Sequence, residues 1–129
     1  MGMAGSLIGL WLYTSVFYRG NEMPLPNPNL QLQIVFLSSE EMKLRYSYSD
    51  SSGFCESTSE YKWDDANHKL HVQVKSVDSE NADFCHGDPD MQVGHESETP
   101  IFFKDRRLHL QLNLGEEDII MILERQSSE

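Results

Sequence analysis

Apolar and polar residues alternate along most of this 129-residue chain. This period of two is typical of β-strands that bury one face and leave the other in water. The clearest example is 108–114, where every second residue is Leu and the residues between are His109, Gln111 and Asn113. A helix would need apolar residues three and four positions apart, a spacing that the sequence does not convincingly show. The alternation therefore predicts an all-β protein.

Short turn-like breaks and three longer breaks divide the alternating segments into eight predicted strands. The predicted strands are 9–19, 30–37, 42–48, 58–63, 69–77, 91–103, 107–114 and 118–125. Consecutive strands with mostly short links favour an eight-stranded antiparallel up-and-down barrel, which leaves no exposed sheet edge. A two-sheet sandwich is the alternative, but it usually needs crossover connections. We predict a single domain over residues 1–129, in which 1–6 are a cloning remnant or a trimmed leader.

The charge balance limits the classes of partner. The chain has 10 Lys and Arg against 21 Asp and Glu, a formal net charge of −11. A phosphate backbone would repel such a protein, so we expect no nucleic-acid binding. Charged partners should instead be cationic or basic. No apolar run approaches the roughly 18–20 residues of a membrane-spanning helix, so we do not expect an integral membrane protein.

The order of an up-and-down barrel places alternate loops at the same end. Loops 19–29, 49–58, 77–91 and 114–118 therefore share one end, called the open end, and the shorter turns close the other, the closed end. The open-end loops hold eleven of the 21 acidic residues and one basic residue, Arg19. These acids form either a solvated rim or a surface that attracts a cationic ligand or a basic protein.

The two cysteines fall in two of these open-end loops. Cys55 lies in 49–58 and Cys85 in 77–91, so the predicted topology makes a disulfide plausible. Such a bridge would close about 30 residues and contribute roughly 3–4 kcal/mol to stability. It would indicate an exported protein, in the periplasm, the envelope or the extracellular space. The alternative is a cytosolic protein with two unrelated reduced thiols.

The first and last predicted strands together carry a family resemblance. The segment Gly9-Leu10-Trp11 opens the first strand, and Arg125 ends the last strand at the same, closed end. This pattern resembles lipocalins, members of the calycin group, in which an Arg after the last barrel strand packs over the Trp of a Gly-x-Trp opening. The resemblance implies a compact, bacterial-type lipocalin-like barrel with Gly9, Trp11 and Arg125 as structural residues. The turn at 104–106 lacks the family's Thr-Asp-Tyr pattern, so no ligand preference is carried over.

We expect a non-enzymatic protein that holds a small, mostly apolar ligand in the barrel. The ligand would be a small hydrophobic or a cationic amphiphilic molecule. The expected ligand-binding residues are inward-facing positions near the open end and two lid residues beside the cysteines. They are Tyr18, Phe36, Tyr48, Val74 and Leu112 in the strands, and Phe54 and Phe84 in the lid. The alternative role of these side chains is to fill the core and to anchor the loops.

The second functional hypothesis is an acidic interaction protein of the cell envelope. It would bind or inhibit a basic protein through loops 49–58 and 77–91. A third hypothesis, an enzyme built in the barrel pocket, has no motif behind it, because no nucleophile elbow, phosphate-binding loop or zinc-protease signature is present. We therefore assign no catalytic residue and no cofactor. Segment 86–90 offers donor atoms but too few for a calcium or zinc site, so no metal is expected either.

Overall fold

The computed structural model describes residues 7–104, 106–114 and 117–126, with side chains at all of these except 112–114, 117 and 118. The described residues form nine strands and two short 3₁₀-helices. The strands are β1 (Gly9–Tyr18), β2 (Asn21–Met23), β3 (Leu30–Phe36), β4 (Glu41–Tyr48), β5 (Phe54–Asp64), β6 (Lys69–Val77), β7 (Glu96–Lys104), β8 (Arg107–Leu114) and β9 (Glu117–Arg125). The 3₁₀-helices span Asp83–Gly87 and Pro89–Met91, between β6 and β7.

From β3 onward each strand pairs antiparallel with the next, and β1 pairs with β9 to close the sheet. β2 and β3 both pair with β1, β2 along Val16–Tyr18 and β3 along Gly9–Leu12. They therefore share one position beside β1, and the barrel has eight strand positions. The predicted eight-stranded antiparallel up-and-down barrel is confirmed.

The inward side of the alternation forms one packed core in the closed half of the barrel. Its fully or nearly fully buried side chains come from eight strands, all but β2, and from the segment before β1. They are Leu7, Trp11, Ile34, Phe36, Met42, Tyr61, Leu70, Ile101, Leu108, Leu110 and Leu123. Burying each large apolar side chain contributes about 1.5–3 kcal/mol, so this cluster is the main source of stability.

A β-bulge in β1 changes which residues of this strand face the barrel interior. The pairing of β1 with β9 shifts between Tyr13 and Ser15, so that Tyr13 faces Leu123 and Val16 faces Met121. One extra residue thus moves the inward phase of β1 from odd to even positions. The shift explains why both phases of this strand are apolar in the sequence.

An ion-pair network on the outer surface fastens β2 to the barrel. Arg107 on β8 donates two hydrogen bonds to the Glu22 carboxylate, at 2.8 and 3.1 Å, and the Ser15 hydroxyl donates a third at 2.8 Å. The bonds from Arg107, and next that from Ser15, hold the pKa of Glu22 below its usual value. β2 was not predicted, because three exposed residues carry no alternation that the sequence could show.

Two predicted strand boundaries are wrong. The strand predicted over 58–63 begins at Phe54, so Cys55 lies in β5 and not in a loop. The strand predicted over 91–103 begins at Glu96, because Met91 belongs to the second 3₁₀-helix. Met91 is an apolar residue in the right phase, but it packs against the two cysteines instead of joining the sheet.

At the closed end, Trp11 and Arg125 lie opposite each other in the β1–β9 register. The Arg125 guanidinium lies 4.4 Å from the centre of the Trp11 ring, a cation–π contact, and donates to the Ile8 carbonyl at 2.7 Å. The Trp11 indole donates to the Leu7 carbonyl at 2.8 Å, so this fully buried ring is also hydrogen-bonded. Gly9 has φ +134°, and a Cβ there would lie 3.2 Å from Arg125 Nη1.

We expect Gly9→Ala to lower the free energy of unfolding by about 1–3 kcal/mol, because Ala is strained at this φ and crowds Arg125. Urea titration followed by Trp fluorescence measures the change. Gly87→Ala is the matched control, since Gly87 lacks a positive φ and its Cβ would meet nothing within 4 Å. Equal stability of the two variants would contradict this account of the closed end.

Candidate functional site

A cavity of about 150 Å³ lies in the barrel interior. It is lined by Leu32, Ile34, Met42, Leu44, Ser57, Ser59, Leu70, Val72, Val74, Asp90, Ser97, Thr99, Leu110 and Met121. An engineered protein cavity of about this volume binds benzene, whereas drug-sized ligands need roughly 300 Å³ or more. The cavity therefore suits a molecule of about six to eight non-hydrogen atoms and is too small for a fatty acid or a retinoid.

The cavity wall has an apolar part and a hydroxyl-bearing part. Ser57 and Ser59 on β5 are almost fully buried, at 2% and 3% exposure. Ser97 and Thr99 line the cavity from β7, two positions around the barrel. The remaining strands supply aliphatic side chains. A ligand inside would meet hydrocarbon on most sides and hydroxyl groups on one.

The connection between β6 and β7 folds over this part of the barrel as a lid, defined here as residues 81–91. Its covalent tether is the disulfide between Cys55 on β5 and Cys85 in the first 3₁₀-helix, with 5.6 Å between the Cα atoms. Both cysteines are buried, and Met91 packs on them. The predicted disulfide is confirmed, and it is consistent with an oxidising, exported environment.

Hydrogen bonds hold the lid at both of its ends. The Asn81 side chain accepts from the Glu56 backbone N–H at 2.9 Å and donates to the Glu56 carbonyl at 3.1 Å. At the far end, the Tyr46 hydroxyl donates to the Asp88 carboxylate. Burial raises the pKa of Tyr46 far above its usual value, and the bond to Asp88 adds to the rise. Tyr46 therefore stays protonated and keeps donating across the physiological pH range.

Asp90 is the acidic residue that the lid brings to the cavity. The second 3₁₀-helix starts at Pro89, after Asp88 as N-cap, and the Asp90 N–H donates to Asp88 Oδ1 at 2.9 Å. Asp90 lines the cavity where it meets solvent, and the residue as a whole is exposed. Burial raises the pKa of its carboxyl and the charge of Asp88 adds to the rise, whereas His95 acts in the opposite direction. No described side chain forms a hydrogen bond or an ion pair with this carboxylate.

Of the expected ligand-binding residues, Val74 lines the cavity, whereas Tyr48 and Phe84 lie beside the lid and do not line it. Val74 lines the cavity and is 3% exposed. The Tyr48 ring lies 6.2 Å from Tyr46 and 5.9 Å from Phe84 between ring centres, at the open end. Phe84 is 44% exposed and rests on Tyr48, so it covers the edge of the lid rather than the cavity itself.

Two of the expected positions are wrong. Phe36 lies beside the β3–β4 turn at the closed end, where it pairs with Gly9 and packs on Tyr61. β3 runs from the open to the closed end, so its last residue cannot reach the mouth. Phe54 is on the outer surface, with the Arg45 guanidinium 4.0 Å above its ring, because Cys55 takes the inward phase of β5.

The last two expected residues do not contribute a described cavity contact. Tyr18 ends β1 at the open end, and its ring lies 5.3 Å from the Arg19 guanidinium. Tyr18 is not among the residues that line the cavity. Leu112 pairs with Ile119 through the backbone of β8, and its side chain lies outside the described residues.

Sequence reasoning missed the functional groups that line the cavity, Asp90 and the hydroxyls. By sequence, Asp90 counts as one of the acids of the open end and as a donor in segment 86–90, but not as a cavity residue. The sequence does contain Asp88-Pro89, an N-cap residue followed by Pro, which is the usual start of a helical turn. This pair predicts the turn but not that Asp90 reaches the cavity.

Comparison with known proteins adds no family. No protein-family model matches the chain, and no curated protein matches it significantly. Among the described residues, no group of three or more His, Cys, Asp or Glu side chains is arranged to hold a metal ion. The part of the chain that the structure describes contains no helix both long and apolar enough to cross a membrane.

We expect the double change Cys55→Ala and Cys85→Ala to lower the free energy of unfolding by roughly 3–4 kcal/mol and to speed hydrogen exchange at the Met91 amide. Tyr46→Phe, which removes one hydrogen bond and keeps the disulfide, should cost only about 1 kcal/mol. Urea denaturation and exchange measured by NMR give both quantities. Unchanged exchange in the double variant would show that the disulfide does not hold the lid.

Proposed function

We propose that this chain is a non-enzymatic, lipocalin-like binding protein that holds a small molecule with a mostly apolar body in the barrel cavity. The observation that carries the proposal is the 150 Å³ cavity between the packed core and a cross-linked lid. Protein interiors are normally packed with few voids larger than a water molecule. A cavity of this size costs stability, and ligand binding is a function that would explain its retention.

The lipocalin-like assignment is supported by two features of the fold. The strand order is an up-and-down barrel closed between β1 and β9. At the closed end, Arg125 stacks on Trp11 beside Gly9, the arrangement that the resemblance implies. The disulfide supports an exported location in the periplasm, the envelope or the extracellular space.

A second candidate function is binding of a basic protein partner at the acidic open end, through 49–58 and 77–91. Glu80, just before the lid, and Asp83, within it, are exposed, and neither takes part in an ion pair with a described residue. Glu56 contributes less than the sequence indicated, because it already pairs with Arg45 at 2.9 Å on the outer surface of β4 and β5. The acidic surface that favours this candidate is therefore 78–90.

The cavity function is tested with small neutral probes. We expect benzene and 1-pentanol to shift the methyl NMR signals of Val74 and Met121, whereas a twelve-carbon alcohol, too large for the cavity, should not. Val74→Phe fills the cavity and should abolish these shifts, after its fold is checked by its NMR spectrum. Shifts confined to residues outside the cavity, or binding unchanged by Val74→Phe, would refute the proposal.

The second candidate is tested with lysozyme as a basic probe protein. Binding should weaken as salt rises from about 20 to about 300 mM, because charges at this surface are screened. The double change Glu80→Gln and Asp83→Asn should reduce the affinity several-fold, while Glu60→Gln with Glu98→Gln, two acids in strands outside these loops, serves as the control. Equal effects of the two pairs would mean that net charge alone, and not this surface, attracts the protein.

A further inference from the structure

We propose that the ligand of the cavity is a small organic ammonium ion, whose nitrogen is held by the Asp90 carboxylate at the mouth and whose hydrocarbon lies inside. This inference rests on the proposed binding function and adds the chemical class of the ligand. Two observations lead to it: a mostly apolar cavity that is partly open to solvent, and a carboxylate on its wall that has no hydrogen-bond or ion-pair partner among the described residues.

Asp90 is positioned by the lid. Cys85 is fixed to β5 by the disulfide, and Met91, the residue after Asp90, is buried against it. On the other side, the Asp90 backbone is tied to Asp88, which itself accepts from Tyr46 on β4. The carboxylate is thus preorganised at the cavity from both directions, which reduces the entropy lost on binding.

The charges around Asp90 favour a cation over an anion. Asp88 and Asp90 both belong to this corner of the lid, and no Lys or Arg is among the cavity-lining residues. The titratable groups that face Asp90 are Asp88, His95 and Tyr46, and the charge of Asp90 adds to the rise of the Tyr46 pKa. A carboxylate ligand in the same place would meet two like charges, in a protein whose formal net charge is −11.

The wall of the cavity suits the hydrocarbon part of such a ligand. Val72, Val74 and Leu110 supply an apolar surface, and Ser57 and Ser59 supply hydroxyls on one side. An alkylammonium ion with a chain of about four to six carbons matches the volume. A longer amphiphile would have to leave most of its chain in water.

The experiment compares three probes of nearly equal shape: n-pentylammonium, 1-pentanol and pentanoate. Affinities are measured by NMR titration at about pH 8 and about 50 mM salt, where the amine is protonated. We expect pentylammonium to bind at least about ten-fold more tightly than pentanol, since it adds a charge-assisted contact. Pentanoate should bind most weakly, and the Val74 methyl signals should shift with pentylammonium.

Asp90→Asn should bring the affinities for pentylammonium and pentanol to within about two-fold of each other. Asp83→Asn is the matched control, since Asp83 is an exposed lid acid that does not line the cavity, and it should leave the preference intact. If Asp90→Asn fails to fold, the comparison of the three probes on the unaltered protein still tests the inference.

Equal affinity for pentylammonium and pentanol would overturn the inference and leave the cavity function standing. Pentylammonium binding without shifts at Val74, or an equal loss in Asp83→Asn, would also overturn it, because the cation would then be held by the acidic surface. If pentylammonium, pentanol and benzene all fail to bind, the proposed function itself is refuted.

Discussion

The pairing of β1 with β9 is the constraint on which the rest of the structure depends. It joins seven residue pairs, from Trp11 with Arg125 to Tyr18 with Ile119, across almost the full length of the chain. Without it, β1 and β9 would expose unpaired backbone groups, and the interior would open to water. Because the loop to be closed is so long, we expect this pairing to form late and the protein to fold slowly for its size.

Closure of the barrel divides it into two halves with different roles. In the closed half, large side chains and the Trp11–Arg125 contact fill the interior. In the other half, small side chains from β5 and β7 leave space, and the lid covers that space without filling it. The disulfide matters to the site because it positions Asp90, which no strand could place at the mouth.

The sequence predicts the strands well wherever inward residues are large. For β8, which has Leu at every second position, the predicted bounds are the observed ones. The predicted start of β5 lies too far along the chain, because the first inward residues of this strand are Cys55, Ser57 and Ser59, which carry little alternation of hydropathy. The serines that hid the start of the strand are also the ones that line the cavity, so the weakest part of the pattern marks the candidate site.

The position of Asp90 could not be predicted from local sequence, since it depends on contacts far along the chain. Met91 is in phase with the alternation of the strand predicted over 91–103. In the structure it packs on the buried disulfide instead and so belongs to the lid. Likewise, Phe54 and Phe84 have equivalent places beside the two cysteines, yet one lies on the outer surface and the other on Tyr48. The alternation of β5 determines the position of Phe54, and the packing of the lid determines that of Phe84.

The central claim is that the cross-linked lid holds the Asp90 carboxylate at the mouth of the cavity. Titration of its carboxyl carbon by NMR tests this claim directly, with the disulfide intact and after reduction. With the bridge intact the midpoint should lie above the ordinary aspartate range, because burial and Asp88 raise the pKa of Asp90. Reduction should move the midpoint back toward that range. An ordinary midpoint in both states would contradict the account.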